Sequence, residues 1–168
     1  GDIPRFVRWL NDPEVTRFLS FFSPLSTAME ENWFEQQLKI SPAEGQVFSI
    51  EVQAGDDWIH IGNTGLHQIE SINRSAEFGI FIGETGYHQK GLGLAATRLT
   101  VKHGFENLNL NRIYLYVCEA NSRAINTYEK AGFVHEGVLR EAVFKQGCYE
   151  NLVLMSVLKS EWVSLPTK

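Results

Sequence analysis

The chain has 168 residues, enough to bury one hydrophobic core, and its 43% hydrophobic and 21% charged residues are ordinary for a globular domain. The net charge of −5 argues against a nucleic-acid binder, no apolar run approaches the ~18 residues of a membrane span, and two cysteines, Cys118 and Cys148, make neither a disulfide framework nor a metal-binding spacing. What remains is a single domain over 1–168 with no metal, nucleic acid or membrane among its partners. The opening "GDIPRFVRWLNDPEV" has no apolar signal-peptide core, and two reduced cysteines suit the cytoplasm.

The predicted elements begin with a short helix, Ile3 to Leu10, which carries Ile3, Phe6, Val7 and Leu10 on one face before "NDPEV" breaks it. A second helix starts after "PLS". Ser26 caps it, and Trp33, Phe34 and Leu38 follow at helical spacing. Between the two lies "RFLSFFSP", which reads either as core or as an exposed apolar lip. Val47 to Val52 alternates as a strand, "AGDDW" turns, and "WIHIGNTGLHQI" returns with a bend at Gly62 or Gly65. "ESINRS" turns again into the strand "AEFGIFIG", so the middle of the chain is an antiparallel meander. Gly93 to about Glu106 is then helical. "RIYLYVC", Arg112 to Cys118, reads as a strand buried on both faces. "NSRAINTYEKAGF" is a helix capped at Asn121 or Ser122 and ended by Gly132. Strands over about Val134 to Phe144 and Tyr149 to Leu158, joined by "KQG", close the chain. The fold class is α/β with a strand–helix–strand–helix–strand centre.

The junction into the long helix reads "GYHQKGLG": three glycines and a lysine in eight residues. A helix N-terminus presents unpaired N–H groups and partial positive charge, and it takes phosphate where the backbone can come close. Gly91 and Gly93 remove the side chains that would block that approach, and Lys90 adds charge at the rim. A plain glycine turn would look the same. The P-loop pattern is absent because no Gly-Lys-Ser/Thr follows, and the spacing Gly86, Gly91, Gly93 is not the dinucleotide fingerprint. In the later helix, Asn121 and Tyr128 are seven positions apart and share a face. Asn121 also suits an N-cap, and Tyr128 also suits core packing.

Two segments together resemble the GNAT acetyltransferase superfamily. The family's acetyl-CoA loop, Gln/Arg-x-x-Gly-x-Gly/Ala, is matched by "HQKGLG", His88 to Gly93, with His88 where Gln or Arg is usual. Its later segment, Asn-x-x-Ala-x-x-x-Tyr-x-Lys-x-Gly-Phe, is matched by "NSRAINTYEKAGF". The ending "GVLREAVFKQGCYENLVLMSVL" is similar to the branch that holds ribosomal-protein-alanine and spermidine N-acetyltransferases. The resemblance implies a mixed, mostly antiparallel sheet flanked by helices, splayed between the family's fourth and fifth strands, here Phe78 to Gly83 and Arg112 to Cys118. The family usually opens with a strand ahead of the first helix, whereas this sequence starts almost at the helix.

The resemblance implies a function too: direct transfer of the acetyl group of acetyl-CoA, a co-substrate, to a primary amine such as a protein N-terminus, a polyamine or another small amine. Gln89 to Leu94, with Leu92 among them, would take the pyrophosphate, helped by Lys90 and Arg123. Phe81, Ile82 and Gly83 would face the pantetheine arm, with a backbone N–H near Phe81 or Ile82 polarising the carbonyl. Asn121 and Ala124 would meet the arm from the later helix. Tyr128 would protonate the leaving thiolate. Glu77 is the first candidate for a base and Glu119 the second, while His67 and His60 sit on the preceding strand. Asp12, Glu14, Glu30, Glu31 and Glu35 make the first helices acidic, which suits a cationic acceptor and equally a solvated face. An acyl-CoA-binding domain of the same fold without turnover is the alternative, and a nucleotide-phosphate enzyme a third. A homodimer is compatible with the exposed edge strands usual in the family.

Overall fold

The computed structural model describes residues 3–19 and 24–163. The elements are α1 (Ile3–Leu10), α2 (Pro13–Thr16), α3 (Thr27–Gln37), β1 (Gln46–Ala54), β2 (Asp57–Glu70), β3 (Ser75–Ile82), α4 (Leu92–Glu106), β4 (Arg112–Cys118), α5 (Ser122–Lys130), β5 (Val134–Lys145), β6 (Cys148–Leu158) and α6 (Lys159–Val163), with a 3-10 turn at Thr85–Tyr87. The segment "NDPEV" does more than break α1. The Asp12 side chain accepts from the Glu14 N–H, and Pro13 takes a first-turn position where no N–H is needed, so the break itself starts α2. Ser26 caps α3 by accepting from the Met29 N–H.

Six strands form one sheet in the order β1-β2-β3-β4-β6-β5. Every neighbouring pair is antiparallel except β3–β4. The β1–β2 hairpin turns at Gly55, whose φ of 66° is left-handed. In β2 the pairing jumps from Gly62 to His60, so Ile61 is an extra residue, and this bulge bends the strand beside Gly62.

The decisive feature is the parallel pair. β3 and β4 pair only from Ser75↔Arg112 to Glu77↔Tyr114. Beyond that point β3 stays with β2 as far as Ile82↔Gly62, and β4 stays with β6 as far as Cys118↔Leu152. The sheet therefore opens into a V, as the resemblance implied.

One face of the sheet packs against α4 and α5. Leu66, Phe78, Ile113, Leu115, Val117 and Met155 are buried there with Val101 and Phe105 of α4. Each such side chain contributes about 1.5–3 kcal/mol by burial. Gly104 lets α4 approach, since a Cβ there would sit 2.7 Å from Cδ1 of Ile113. On the other face, Trp9 of α1 is 2% exposed and meets the rings of Phe6, His60 and Phe81 edge-on.

β4 departs from expectation. Ile113, Leu115 and Val117 are buried, but Tyr114 is only half-buried and Tyr116 is exposed. The strand has one core face and one open face, because among the described residues no helix covers its second side next to the V. At the far edge, Arg112 makes a two-pronged ion pair with Glu136, both contacts at 2.5 Å, and the Ser156 hydroxyl donates to the same carboxylate. These hydrogen bonds, Arg112 first, pull Glu136 down to about 2. The folded value lies below the unfolded one, so this stability is present above pH 4.5 and lost as the pH falls toward 2. The pair keeps solvent contact, which discounts it to about 1 kcal/mol. Glu136→Gln is expected to lower Tm by roughly 2–4 °C at pH 7, with the gap to wild type narrowing below pH 4.5 in melts across a pH series.

Candidate active site in the opening of the sheet

The end of β3 runs directly into the glycine loop. Gly83 and Glu84 both donate backbone N–H groups to the Ile61 carbonyl, so the bulge in β2 holds the exit of β3. His88 Nε2 hydrogen-bonds the Ile82 carbonyl at 2.9 Å, tying the loop back to that strand. Gln89 (φ 60°) and Gly91 (φ 79°) are left-handed, and Gly91 occupies the N-cap of α4 with no side chain capping it. The first amides of a 15-residue helix thus have no capping side chain. A Cβ on Gly91 or Gly93 would meet nothing within 4 Å.

Across the V, α5 begins after β4. The Asn121 side-chain oxygen accepts from the Ala124 N–H, so the cap is made by its carbonyl oxygen and its amide N–H groups have no partner among the described residues. Arg98 of α4 donates to the Lys130 carbonyl of α5, fixing the two helices together. Tyr128 lies at the foot of the opening, against Phe78 at 6.1 Å and Phe133 at 5.9 Å between ring centroids. Burial pushes its hydroxyl up to about 12.

Gln89, Gly91, Leu92, Gly93, Leu94, Asn121, Arg123, Ala124 and Tyr128 line one cleft of about 1140 Å³, together with Phe81 and Ile82. Glu77 lines the same cleft. Two of the expected donor-site residues stand apart from this lining. Lys90 lies over the Tyr87 ring, 4.9 Å from its centroid. Gly83 is packed under α1: a Cβ there would lie 2.1 Å from the Trp9 indole, so glycine is required for packing. The strand alternation also sorts the amides. Gly83 donates to β2 and the Phe81 carbonyl faces β2, so Phe81 directs its N–H away from the opening. Ile80 and Ile82 direct theirs into it.

The other wall of the cleft carries Glu14, Phe18, Leu19, Trp33, Asn63, His67 and Tyr116. Phe18 and Leu19 are therefore a lining of the mouth, while Phe21 and Phe22 lie outside the described residues. Tyr116 was legible in "RIYLYVC" by its period of two, since it alternates with Leu115 and Val117. Trp33 carried no such signal. Glu77 accepts from Gln68 Nε2 at 3.1 Å. Glu119 instead accepts from Asn151 at 2.8 Å and does not line the cleft. His60 is buried beside Trp9, bonded to Gly62 and Asn63. Cys118 is buried and donates to Glu150, and burial pushes its thiol up, away from nucleophilic behaviour. The Lys145 ammonium donates to the Thr16 and Leu19 carbonyls, pinning the loop after α2 to the β5–β6 hairpin.

A parted sheet, a bare helix N-terminus at one lip and an aromatic, carboxylate-bearing wall at the other meet in this one cleft. The chain belongs to the GNAT acetyltransferase family, whose domain model matches residues 1–134. It is 41% identical over 106 residues to the spermidine N(1)-acetyltransferase of Vibrio cholerae, covering 62% of this chain and 60% of that protein. It is 37% identical over 103 residues to the Escherichia coli (strain K12) spermidine N(1)-acetyltransferase, covering 61% of this chain and 55% of that protein. The chain thus spans somewhat over half the length of these curated relatives. The crystal structure of spermidine N-acetyltransferase from Vibrio cholerae in complex with CoA and spermine superposes with a TM-score of 0.86 at 29% identity, over 98% of this chain and 94% of that one.

The glycines separate packing from binding. Gly83→Ala forces Trp9 to move and is expected to lower Tm by roughly 5–10 °C. Gly93→Ala, in open space inside a helix, is expected to leave Tm unchanged or raise it by about 2 °C, as measured by thermal denaturation of the protein alone.

Proposed function

We propose that this protein transfers the acetyl group of acetyl-CoA to a primary amine of a polyamine or a similar cationic acceptor. The observation that carries the reading is the V between β3 and β4, which joins the bare N-terminus of α4 to the Glu77 wall through one cleft. The amides of Gln89 to Leu94 would hold the pyrophosphate, with Arg123 beside them. The pantetheine arm would lie along the open edge of β3, with the N–H groups of Ile80 and Ile82 and the Asn121 amide as donors. The Ile82 or Ile80 N–H would face the thioester oxygen where negative charge develops. Glu14 and Glu77, with Trp33, Phe18 and Tyr116 around them, suit a cation: carboxylates supply charge and aromatic faces add cation–π attraction. The names of the relatives, spermidine N-acetyltransferases, support the same acceptor class.

Tyr128 would deliver the proton to sulfur. Its hydroxyl stays protonated throughout the working pH range because burial raises it to about 12. An alkyl thiol titrates near 8.5, so full transfer from tyrosine to thiolate is uphill by roughly 4–5 kcal/mol. The hydroxyl therefore gives up its proton only as another replaces it, which couples departure of the thiol to loss of a proton from the new amide nitrogen.

Acetyl-CoA and CoA, but not ATP, are expected to raise Tm through mass action, and Gly91→Val, which puts a branched side chain at the bare N-cap of α4, to lose that shift. Spermidine is expected to release thiol from acetyl-CoA, with kcat lowered about 100-fold or more in Tyr128→Phe at an unchanged acetyl-CoA shift. Absence of any CoA shift in wild type would remove the donor site and the reading with it. A CoA shift without transfer to any amine in a panel would leave a binding domain.

A further inference from the structure

His67 is unlike the other histidines on the same strand and loop. His60 and His88 are both engaged by backbone carbonyls. The His67 imidazole has no hydrogen-bond partner among the described residues, and the residue is half-buried in the wall of the cleft. The ring rests over a floor of two paired glycines. Gly65 and Gly79 are cross-strand partners, and a Cβ on Gly65 would lie 3.1 Å from His67 Nε2, one on Gly79 3.5 Å. Side chains at those two positions would push the ring off the sheet, so the glycines fix where Nε2 sits. Directly opposite His67 in the register stands Glu77, itself held by Gln68.

We propose that His67 is the base that takes the proton from the incoming ammonium, while Glu77 holds the acceptor's charge; this rests on the acetyl-transfer reading above. Carboxylate and imidazole divide the work by chemistry. A carboxylate titrates near 4 and attracts an ammonium without removing its proton at neutral pH, whereas a neutral imidazole is matched to that task. The groups that set the charge of His67 are arranged for it. Glu77 on β3 opposes it, Tyr114 and Tyr116 of β4 share the open face, and Glu14 of α2 lines the cleft. Burial lowers the pKa of His67, and Glu77 partly counters this, so the ring is neutral at pH 7.

The acceptor ammonium gives one proton to His67 Nε2, which passes it to water. The neutral nitrogen attacks the thioester carbon, and the C–N bond forms. The C–S bond then breaks, and the sulfur leaves with its electron pair and takes the Tyr128 hydroxyl proton. The second proton of the nitrogen restores Tyr128. The products are the amide, free CoA and one proton in solution.

The test is kcat at saturating spermidine and acetyl-CoA across pH, for wild type, His67→Gln, His67→Ala and Glu77→Gln. Wild-type kcat is expected to fall as the pH drops below the ordinary histidine range, reporting a lowered His67. His67→Gln is expected to lose about 100-fold in kcat and that acid limb, and to keep the acetyl-CoA shift in Tm. Added imidazole is expected to restore activity to His67→Ala, which a purely structural histidine would not allow. Glu77→Gln is expected to raise the spermidine KM and to keep the acid limb. The proposal is overturned if His67→Gln retains wild-type kcat, or if the acid limb disappears in Glu77→Gln and survives in His67→Gln. A wild type that binds CoA and acetylates nothing ends the proposal together with the transfer reading. A wild type active with spermidine while both His67 variants match it ends this proposal alone.

Discussion

Three residue pairs hold β3 to β4, and the opening of the sheet depends on there being no more. A parallel pair that continued to the ends of both strands would close the sheet and use the Ile80 and Ile82 amides as ladder donors. Here β3 is claimed by β2 on one side, and β4 by β6 on the other. The two antiparallel pairs diverge, and the short parallel contact ends where they part. Phe78, Tyr128 and Phe133 fill the base of the resulting wedge, so the opening is a packed feature of the core.

The wedge also explains why the glycines fall into two groups with opposite demands. Gly62, Gly83 and Gly104 sit where another group already occupies the space of a Cβ: the Phe81 carbonyl, the Trp9 ring and the Ile113 side chain. Gly91 and Gly93 sit where nothing does. The first group lets the layers approach. Gly91 takes a left-handed φ of 79° that glycine adopts without strain, and Gly93 leaves the first turn of α4 bare at roughly 0.5–1 kcal/mol relative to alanine. Gly65 and Gly79 form a third arrangement, a smooth patch of sheet under one imidazole.

The two walls of the cleft differ in chemistry as the two halves of a transfer reaction would require. One wall is backbone N–H, helix dipole and Arg123, suited to anionic phosphates. The other is carboxylate and aromatic ring, suited to a cation. The overall charge of −5 conveys neither, because charges in a cleft act at a few ångströms and the net value averages over the whole surface. His88 keeps the glycine loop attached by a single hydrogen bond to Ile82.

Much of this was legible along the chain. The helices at Ile3–Leu10 and Thr27–Gln37, the hairpins, the glycine junction and the Asn121 cap all rest on contacts within a few residues, and local rules of periodicity and capping find them. The α2 turn hid in an apparent helix breaker, because Asp-Pro ends one helix and begins another by the same chemistry. Burial on both faces of β4 was inferred from an apolar run, and it failed because the sheet's opening leaves Tyr114 and Tyr116 uncovered. Which amides face the opening, that Gly83 serves Trp9, and that Lys90 turns to Tyr87 are matters of register and packing between residues distant in sequence. So is the pairing of His67 with Glu77 across two strands. The sequence by itself determined the elements, the two motifs and the family they resemble, because those depend on neighbours along the chain. Only the tertiary structure decided which side chains share the cleft, because that depends on where β3 and β4 part.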